Sequence, residues 1–447
     1  MIKNKYIKRT ISIAWPSVLE SFFIAVAGLI DTLMVSNLGS HAVAAVGLTT
    51  QPKFIAFSIF MAISVSVSAL VARRRGEQDK FKANQTLVTA MVMSLILCLI
   101  VTSLMIYFTP EIIRLSGSSE ETHDLGVNYL RIIMAGLIFN IISMNINSAQ
   151  RGSGNTRIAF TTNLVSSIVN IFFNYLLIDG NWGFPALGVT GAALATVIGT
   201  AVAAAMSIAS LFRRESFVSL PLMVKRKIGF AKDIAKEITN LGSTIFAENL
   251  AARIGFLVTA VTAAKLGTDQ FAAHNVGMNL LSLSFAFGDG MQVAAVALTG
   301  NALGAGKKDE AIKYGKTCQE IGLTISGIIA AVFVLFRKSI FRVFFDDPKI
   351  VEMGEVIIMF LIFIVLFQIS QVIFGGCLRA AGDVRFTLLA SLLSITLVRS
   401  VSTLIYVNVL GLGLAGIWLG ILSDQICRLL IPVSYTHLRA HETSLHL

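Results

Sequence analysis

Asp31 lies inside the apolar run GLIDTLMVSNLG, fifteen residues beyond Pro16. A carboxyl group in an apolar medium is stable when it holds a proton or a cation, and each state favours a different packing of its helix. Pro16 removes one backbone hydrogen bond from that helix and lets it bend. The combination suits a reversible switch; the alternative is an aspartate simply paired with donors on neighbouring helices. Asn170 and Asn174 stand four apart in VNIFFNYLLI, so both amides share one helix face. With Asp31 and a hydroxyl such as Thr196 in GAALATVIG, they supply hard oxygen ligands for Na+ or hydrogen bonds that tune a protonatable carboxyl. The same amides could also serve to join membrane helices.

Further ionisable residues interrupt the apolar runs, where a charge costs from about 2.5 kcal/mol upward at the bilayer centre. Glu248 sits in STIFAENLAARIGF with Arg253 five residues on. The two either neutralise each other, or Glu248 faces a cavity in which a cationic substrate or proton competes for it; the second reading is taken forward. Asp289, between two glycines in FAFGDGMQVAAV, poses the same choice. Asp424 and Arg428, four apart, are expected to pair with each other, and Arg399 has no assigned role.

Covalent catalysis has little support, so no enzyme is expected. RGSGNTR and RAAGDVR lack the glycine spacing that wraps a phosphate and read as tight turns. No protease zinc motif or nucleophilic triad is evident, and no cofactor is expected beyond a coupling ion, Na+ or H+. Cys98, Cys318, Cys377 and Cys427 are scattered through apolar stretches, which argues against a disulfide framework or zinc site.

The elements that hold these residues must be membrane helices. Of 447 residues, 55% are hydrophobic and 14% charged, with a mean hydropathy of +0.78. Apolar runs near 11–36, 48–72, 87–108, 126–148, 158–179, 186–212, 238–264, 277–301, 317–336, 354–377, 386–409 and 411–433 give about twelve spans. The net charge of +11 is spread in short clusters between those runs rather than gathered on one face, so nucleic acid is not an expected partner. Lys3, Lys5, Lys8, Arg9, Arg73 to Arg75, Arg151, Arg157, Arg213, Arg214, Lys225, Arg226, Lys227, Lys307, Lys308, Arg379 and Arg385 fall on one side, which is expected to be cytoplasmic with the N-terminus. On the other side, Arg337, Lys338, Arg342 and Lys349 are partly offset by Asp346, Asp347 and Glu352.

The chain also repeats. Arg151-GSGNT-Arg157 superposes on Arg379-AAGDV-Arg385 with a shift of 228 residues, and the same shift places Glu20 on Glu248 and Gly76 on Gly304. Six spans per repeat is an even number, so both halves enter the membrane from one side and are expected to be related by a pseudo-two-fold axis along the membrane normal, as in secondary transporters with parallel repeats. The expected organisation is an N-lobe over 1–211, a cytoplasmic linker over 212–237, a C-lobe over 238–433 and a tail over 434–447. The tail, SYTHLRAHETSLHL, carries His437, His441 and His446; it reads as translated adapter sequence rather than a metal site, with the natural C-terminus missing.

Together these residues resemble the multidrug and toxic compound extrusion (MATE) family of cation-coupled exporters. The resemblance covers about residues 5–432 and rests on Pro16 with Asp31-Thr32, RGSGNTR with the Asn170 and Asn174 span, LGVTGAALAT, KLGTDQFAAHNVGMN and the GxLRAAGD pattern at 376–383. It implies an all-α integral membrane protein of twelve helices in two lobes around a central cavity, working by alternating access. It implies that Asp31, Asn170, Asn174 and Thr196 form an N-lobe cation or proton site and that Glu248 is a C-lobe acid. Some branches carry an aspartate near the position of Gln368, which cannot ionise; that departure shifts coupling toward Asp31. The implied cargo is organic, in particular lipophilic cations, handled by a monomer in a bacterial plasma membrane whose partners are those solutes and lipids. The alternative is a flippase of lipids or lipid-linked precursors from the same superfamily.

Overall fold

Without water in the bilayer core, backbone amides must bond within their own segment, and all regular structure among the described residues is helical. The structure is a computed structural model that describes residues 2–213, 216–345 and 347–445. Arg214, Asp346 and His446 lie outside the described residues, as do the side chains of Thr32, His437 and His441. The chain runs through α1 (Ile2–Ser36), α2 (Ser40–Gly76), α3 (Lys80–Leu115), α4 (Glu120–Ala135), α5 (Leu137–Gly152), α6 (Thr156–Leu177) and α7 (Val189–Ser210). A short α8 (Leu220–Lys225) leads to α9 (Lys232–Lys265), α10 (Thr268–Gly304), α11 (Lys308–Leu335), α12 (Arg337–Arg342) and α13 (Pro348–Ala381). Next come α14 (Val384–Ser391), a π-helical stretch Leu392–Arg399, α15 (Ser400–Leu404), a second π-helical stretch Ile405–Val409 and α16 (Gly413–Leu445).

Eleven helices among the described residues are long and apolar enough to cross a membrane, and twelve spans result when α4 and α5, bent by 45°, count as one. Gly136 makes that bend: a Cβ there would lie 2.4 Å from the Val197 side chain, so only glycine admits so close an approach of α7. The helices outrun the apolar cores read from the sequence. The 37 residues of α2 extend about 55 Å at 1.5 Å per residue, against a hydrocarbon core of about 30 Å. Large side chains such as Leu99 and Leu104 on α3, Ile328 on α11 and Phe363 on α13 are exposed. In a membrane these are the side chains that meet lipid.

Two compact units divide the chain. One comprises Trp15–Ser243 with Gly300–Lys307. Its core includes Phe60, Ile113, Leu130, Met134, Leu137 and Ile141. A second apolar cluster in it joins Val67, Val71 and Leu87 to Phe217, Val218, Met223 and Ile234. The stretch expected to be a linker is therefore packed down. Asn84 holds it from α3: its Nδ2 donates to Phe217 O at 3.1 Å, and its Oδ1 accepts from Ser219 N–H at 2.9 Å. Arg74 adds an ion pair to Glu237 at 3.1 Å. Within this unit the ends of α2 and α10 also cross at paired glycines. A Cβ on Gly76 would lie 1.9 Å from Asn301 O, and one on Gly304 would lie 1.9 Å from Arg73 O.

The other unit comprises Met1–Ala14, Thr244–Thr299 and Lys308–Leu447. Ile357, Leu361, Ile364, Ile369, Trp418 and Ile421 are fully buried in it. The first turns of α1 dock here, with the Tyr6 and Tyr314 rings 4.9 Å apart edge to face and the Arg9 guanidinium 5.8 Å from the Tyr314 ring centre. Pro16 thus falls just past the point at which α1 passes from one unit to the other.

Candidate functional site

Asp31 on α1 meets the two asparagines of α6, as their four-residue spacing requires. Asn174 is fully buried and its Nδ2 donates to Asp31 Oδ1. With its amide turned to satisfy both neighbours, Asn170 donates to the same carboxylate oxygen at 3.1 Å and accepts from the Thr196 backbone N–H at 3.2 Å. Thr196 Oγ1 donates to Ala192 O at 2.9 Å, which leaves the hydroxyl lone pairs as acceptors. Gly199 lets α7 come this close, since a Cβ there would lie 2.9 Å from Ser166 O and 3.1 Å from Asn170 Cβ. All four residues read from the sequence as one site are brought together.

Two neighbours were not read from the sequence. Lys53 on α2 and Tyr129 on α4 stand within electrostatic range of Asp31. Lys53 follows Pro52, a proline inside α2. The available signal was a lysine within an apolar run, which merits the same scrutiny as an intramembrane acid.

The oxygens of Asp31, Asn170, Asn174 and Thr196 form a hard-donor set suited to Na+, while the amide donors suit a carboxyl group that gains and loses a proton. Asn174 Oδ1 is buried without a hydrogen-bond partner. A buried acceptor left unsatisfied is costly, and a bound cation would satisfy it. Among the described residues no group of three or more His, Cys, Asp or Glu could hold a metal ion; this site has a single acid and belongs to a different class.

In the second repeat the expected pairings are corrected. Glu248 on α9 accepts from Arg379 Nη2 at 3.0 Å and from Ser391 Oγ at 2.8 Å, so its ion-pair partner is Arg379 and not Arg253. Five residues along a helix turn a side chain by about 140°, which carries Arg253 to another face. Arg379 opens the RAAGDVR turn, and Ser391 lies beyond its end on α14. The first repeat builds the same cluster at positions lower by the repeat shift of 228: Glu20 accepts from Arg151 Nη1 at 2.8 Å and from Asn163 Nδ2 at 2.6 Å.

Asp424, expected to pair with Arg428, instead takes two hydrogen bonds from Arg399, at 3.1 Å from Nε and 2.7 Å from Nη2. Asp424 is 0% and Arg399 1% exposed. Both bonds fall on Oδ2, and Asp424 Oδ1 is buried without a hydrogen-bond partner. Gln368 is buried on α13, its Oε1 without a hydrogen-bond partner. Asp289 on α10 and Arg253 on α9 are half-buried. The four cysteines are free thiols.

Comparison with known proteins agrees with this framework. The MatE family model matches residues 16–176 and again 244–419, its second match beginning one repeat shift after the first. "Probable multidrug resistance protein NorM" of Thermotoga maritima is 26% identical over 94% of this chain and 90% of its own length. Its namesake in Pasteurella multocida is 26% identical over 97% and 94%. Among solved structures, "Outward-facing conformation of a multidrug resistance MATE family transporter of the MOP superfamily" has a TM-score of 0.90 at 22% identity, covering 97% of this chain and 96% of that one. A transporter from Pyrococcus furiosus described by "reverse polarity of binding pocket" has a TM-score of 0.88 at 23% identity, with the same coverage. The paired family-model matches cover most of the chain: it belongs to the MATE family of membrane transporters.

Proposed function

We propose that this transporter is an antiporter that exports organic compounds in exchange for Na+ or H+, with Asp31 as the coupling residue. The observation that carries the reading is the Asp31 cluster: one carboxylate held by Asn170 and Asn174, with the buried Asn174 Oδ1 unsatisfied beside it. A cation or proton arriving there changes both the charge of Asp31 and the partners its amide neighbours require. Lys53 and Tyr129 respond to the same change, so occupancy of the site biases the packing of α1, α2, α4 and α6. Pro16 gives α1 a place to bend as it does so.

The names of the relatives support multidrug efflux as the direction of transport. The cargo proposed is lipophilic and organic. Glu248 and Asp424 are engaged by arginines, so the proposed attraction for a cationic cargo rests on Asp31. The basic bias of alternate loops supports a cytoplasmic N-terminus in a bacterial plasma membrane, and a monomer is sufficient for a site built within one chain.

The test is efflux of a lipophilic cationic dye from vesicles under separately imposed Na+ and pH gradients. The wild-type chain extrudes dye under one gradient, and Asp31→Asn does not while inserting normally. Parental extrusion by that variant would remove Asp31 from coupling.

A further inference from the structure

Arg428 on α16 joins the two ion pairs of the second repeat into one buried network. It follows Asp424 by four residues, so it stands one turn along the same helix face. The charged groups that act on it are Asp424 and Glu248, which attract it, and Arg399 and Arg379, which repel it. Each carboxylate already holds an arginine, at 3.0 Å for Glu248 with Arg379 and 2.7 Å for Asp424 with Arg399. Guanidinium keeps its charge at any working pH. Three positive groups therefore face two negative ones, and one positive charge is left over.

Open donors accompany that surplus. Arg379 Nε, Arg399 Nη1 and Arg428 Nε are each buried without a hydrogen-bond partner, and Arg399 as a whole is only 1% exposed. A charged N–H left bare in an apolar surrounding is costly, and guanidinium N–H groups are strong donors to anions. We propose that this network holds a small inorganic anion of the halide class, bound by the open N–H groups of Arg379, Arg399 and Arg428. Glu248 Oε2 and Asp424 Oδ1 are also buried and unpartnered; carboxylate oxygens only accept, so they take water that hydrates the anion. The inference does not depend on Asp31 as the coupling residue.

The surroundings set the size and approach of the ion. The Phe256 ring lies 4.7 Å from Arg399 Cζ and closes one face of that guanidinium, so an anion meets its edge, where Nη1 is open. The open atoms are almost wholly enclosed, which favours a compact ion, while the half-buried Arg428 gives it a way in. The first repeat has no such surplus. Its last span, α7, carries no charged side chain, and Glu20 pairs with Arg151. One repeat shift of 228 beyond Asp31 stands Thr259, its hydroxyl donating to Gly255 O at 2.8 Å. The repeats thus differ in sign: an interior acid in one, an excess of guanidinium in the other.

The test is binding of radioactive chloride to the full-length protein in detergent, with Na+ held constant and gluconate as the replacing anion. The wild-type protein is expected to take up chloride saturably, to release it to bromide, and to unfold at a higher temperature as chloride replaces gluconate. Arg428→Gln is expected to lose both the uptake and the chloride dependence of unfolding. Folded wild-type protein without saturable uptake would overturn the proposal, as would undiminished uptake by folded Arg428→Gln. Should Arg428→Gln fail to fold, Gln425→Glu decides. Gln425 is buried on α16 three residues before Arg428, its Oε1 unpartnered, so a carboxylate there supplies the balancing charge from within the chain. That variant is expected to fold and to bind no chloride; wild-type uptake by it, or its failure to fold, overturns the proposal.

Discussion

The two repeats agree at their Glu–Arg clusters and diverge at their ionic interiors. Glu20 with Arg151 and Asn163 matches Glu248 with Arg379 and Ser391, partner for partner. Yet where the first repeat holds Asp31 between amides, the second holds a buried Asp424–Arg399 ion pair. Duplicated parts that keep the same contacts are framework, because each joins a helix to the turn that re-enters the membrane. Parts that diverge under the same framework are where one half has been freed for a separate task. The comparison therefore separates two kinds of buried carboxylate that composition alone treats alike.

The comparison breaks most decisively at Asp31. Asp31→Asn is expected to reduce gradient-driven dye efflux to the level of empty vesicles, with normal membrane insertion. The framework clusters should behave as equals. Arg151→Ala and Arg379→Ala each leave a buried carboxylate without its counter-charge and should lower stability by about 3–5 kcal/mol, read as thermal unfolding in detergent. Glu248→Gln/Arg379→Gln together should recover most of that loss. If only one repeat responds, the clusters are not equivalent.

A smaller effect is expected where α2 and α10 cross. Gly76→Ala and Gly304→Ala each force a methyl against a backbone oxygen 1.9 Å from the new Cβ, for a loss of about 1–3 kcal/mol that should be similar for the two. Unequal losses would show that one side of the crossing yields. Smallest of all, Thr259→Val removes one hydroxyl from the counterpart of Asp31 and should cost about 0.5–1.5 kcal/mol, leaving the dependence of efflux on the imposed gradient intact. A changed dependence would mean that Thr259 does more than occupy space.

Much of this was legible in the sequence, for reasons that also mark its limits. Asn170 and Asn174 were readable as one face because helix geometry fixes that over four residues, and Asp31 was readable because an acid in an apolar run is conspicuous. Their convergence with Thr196 followed from resemblance, not spacing. Local rules failed where burial outweighs proximity in the chain. Glu248 passes over Arg253 for Arg379, 131 residues away, and Asp424 passes over Arg428 for Arg399, 25 residues away. A guanidinium deep in hydrocarbon is held by whichever helix can present a carboxylate in its plane, and sequence distance carries no information about that. The repeat shift was the one long-range signal available, and applied to Glu20 and Arg151 it would have paired Glu248 with Arg379. Lys53 was not legible from the bias of basic residues between loops, because it lies inside a helix beside Pro52.

The docking of the first turns of α1 has a consequence for how the protein is made. Tyr6 and Arg9 are synthesised more than 300 residues before the Tyr314 ring they pack on. Contacts that far apart form late, so the opening segment must stay unengaged at the membrane surface while thousands of atoms are inserted behind it. A bulky insertion just ahead of Tyr6, harmless to early insertion of the spans, would then obstruct the final closing step.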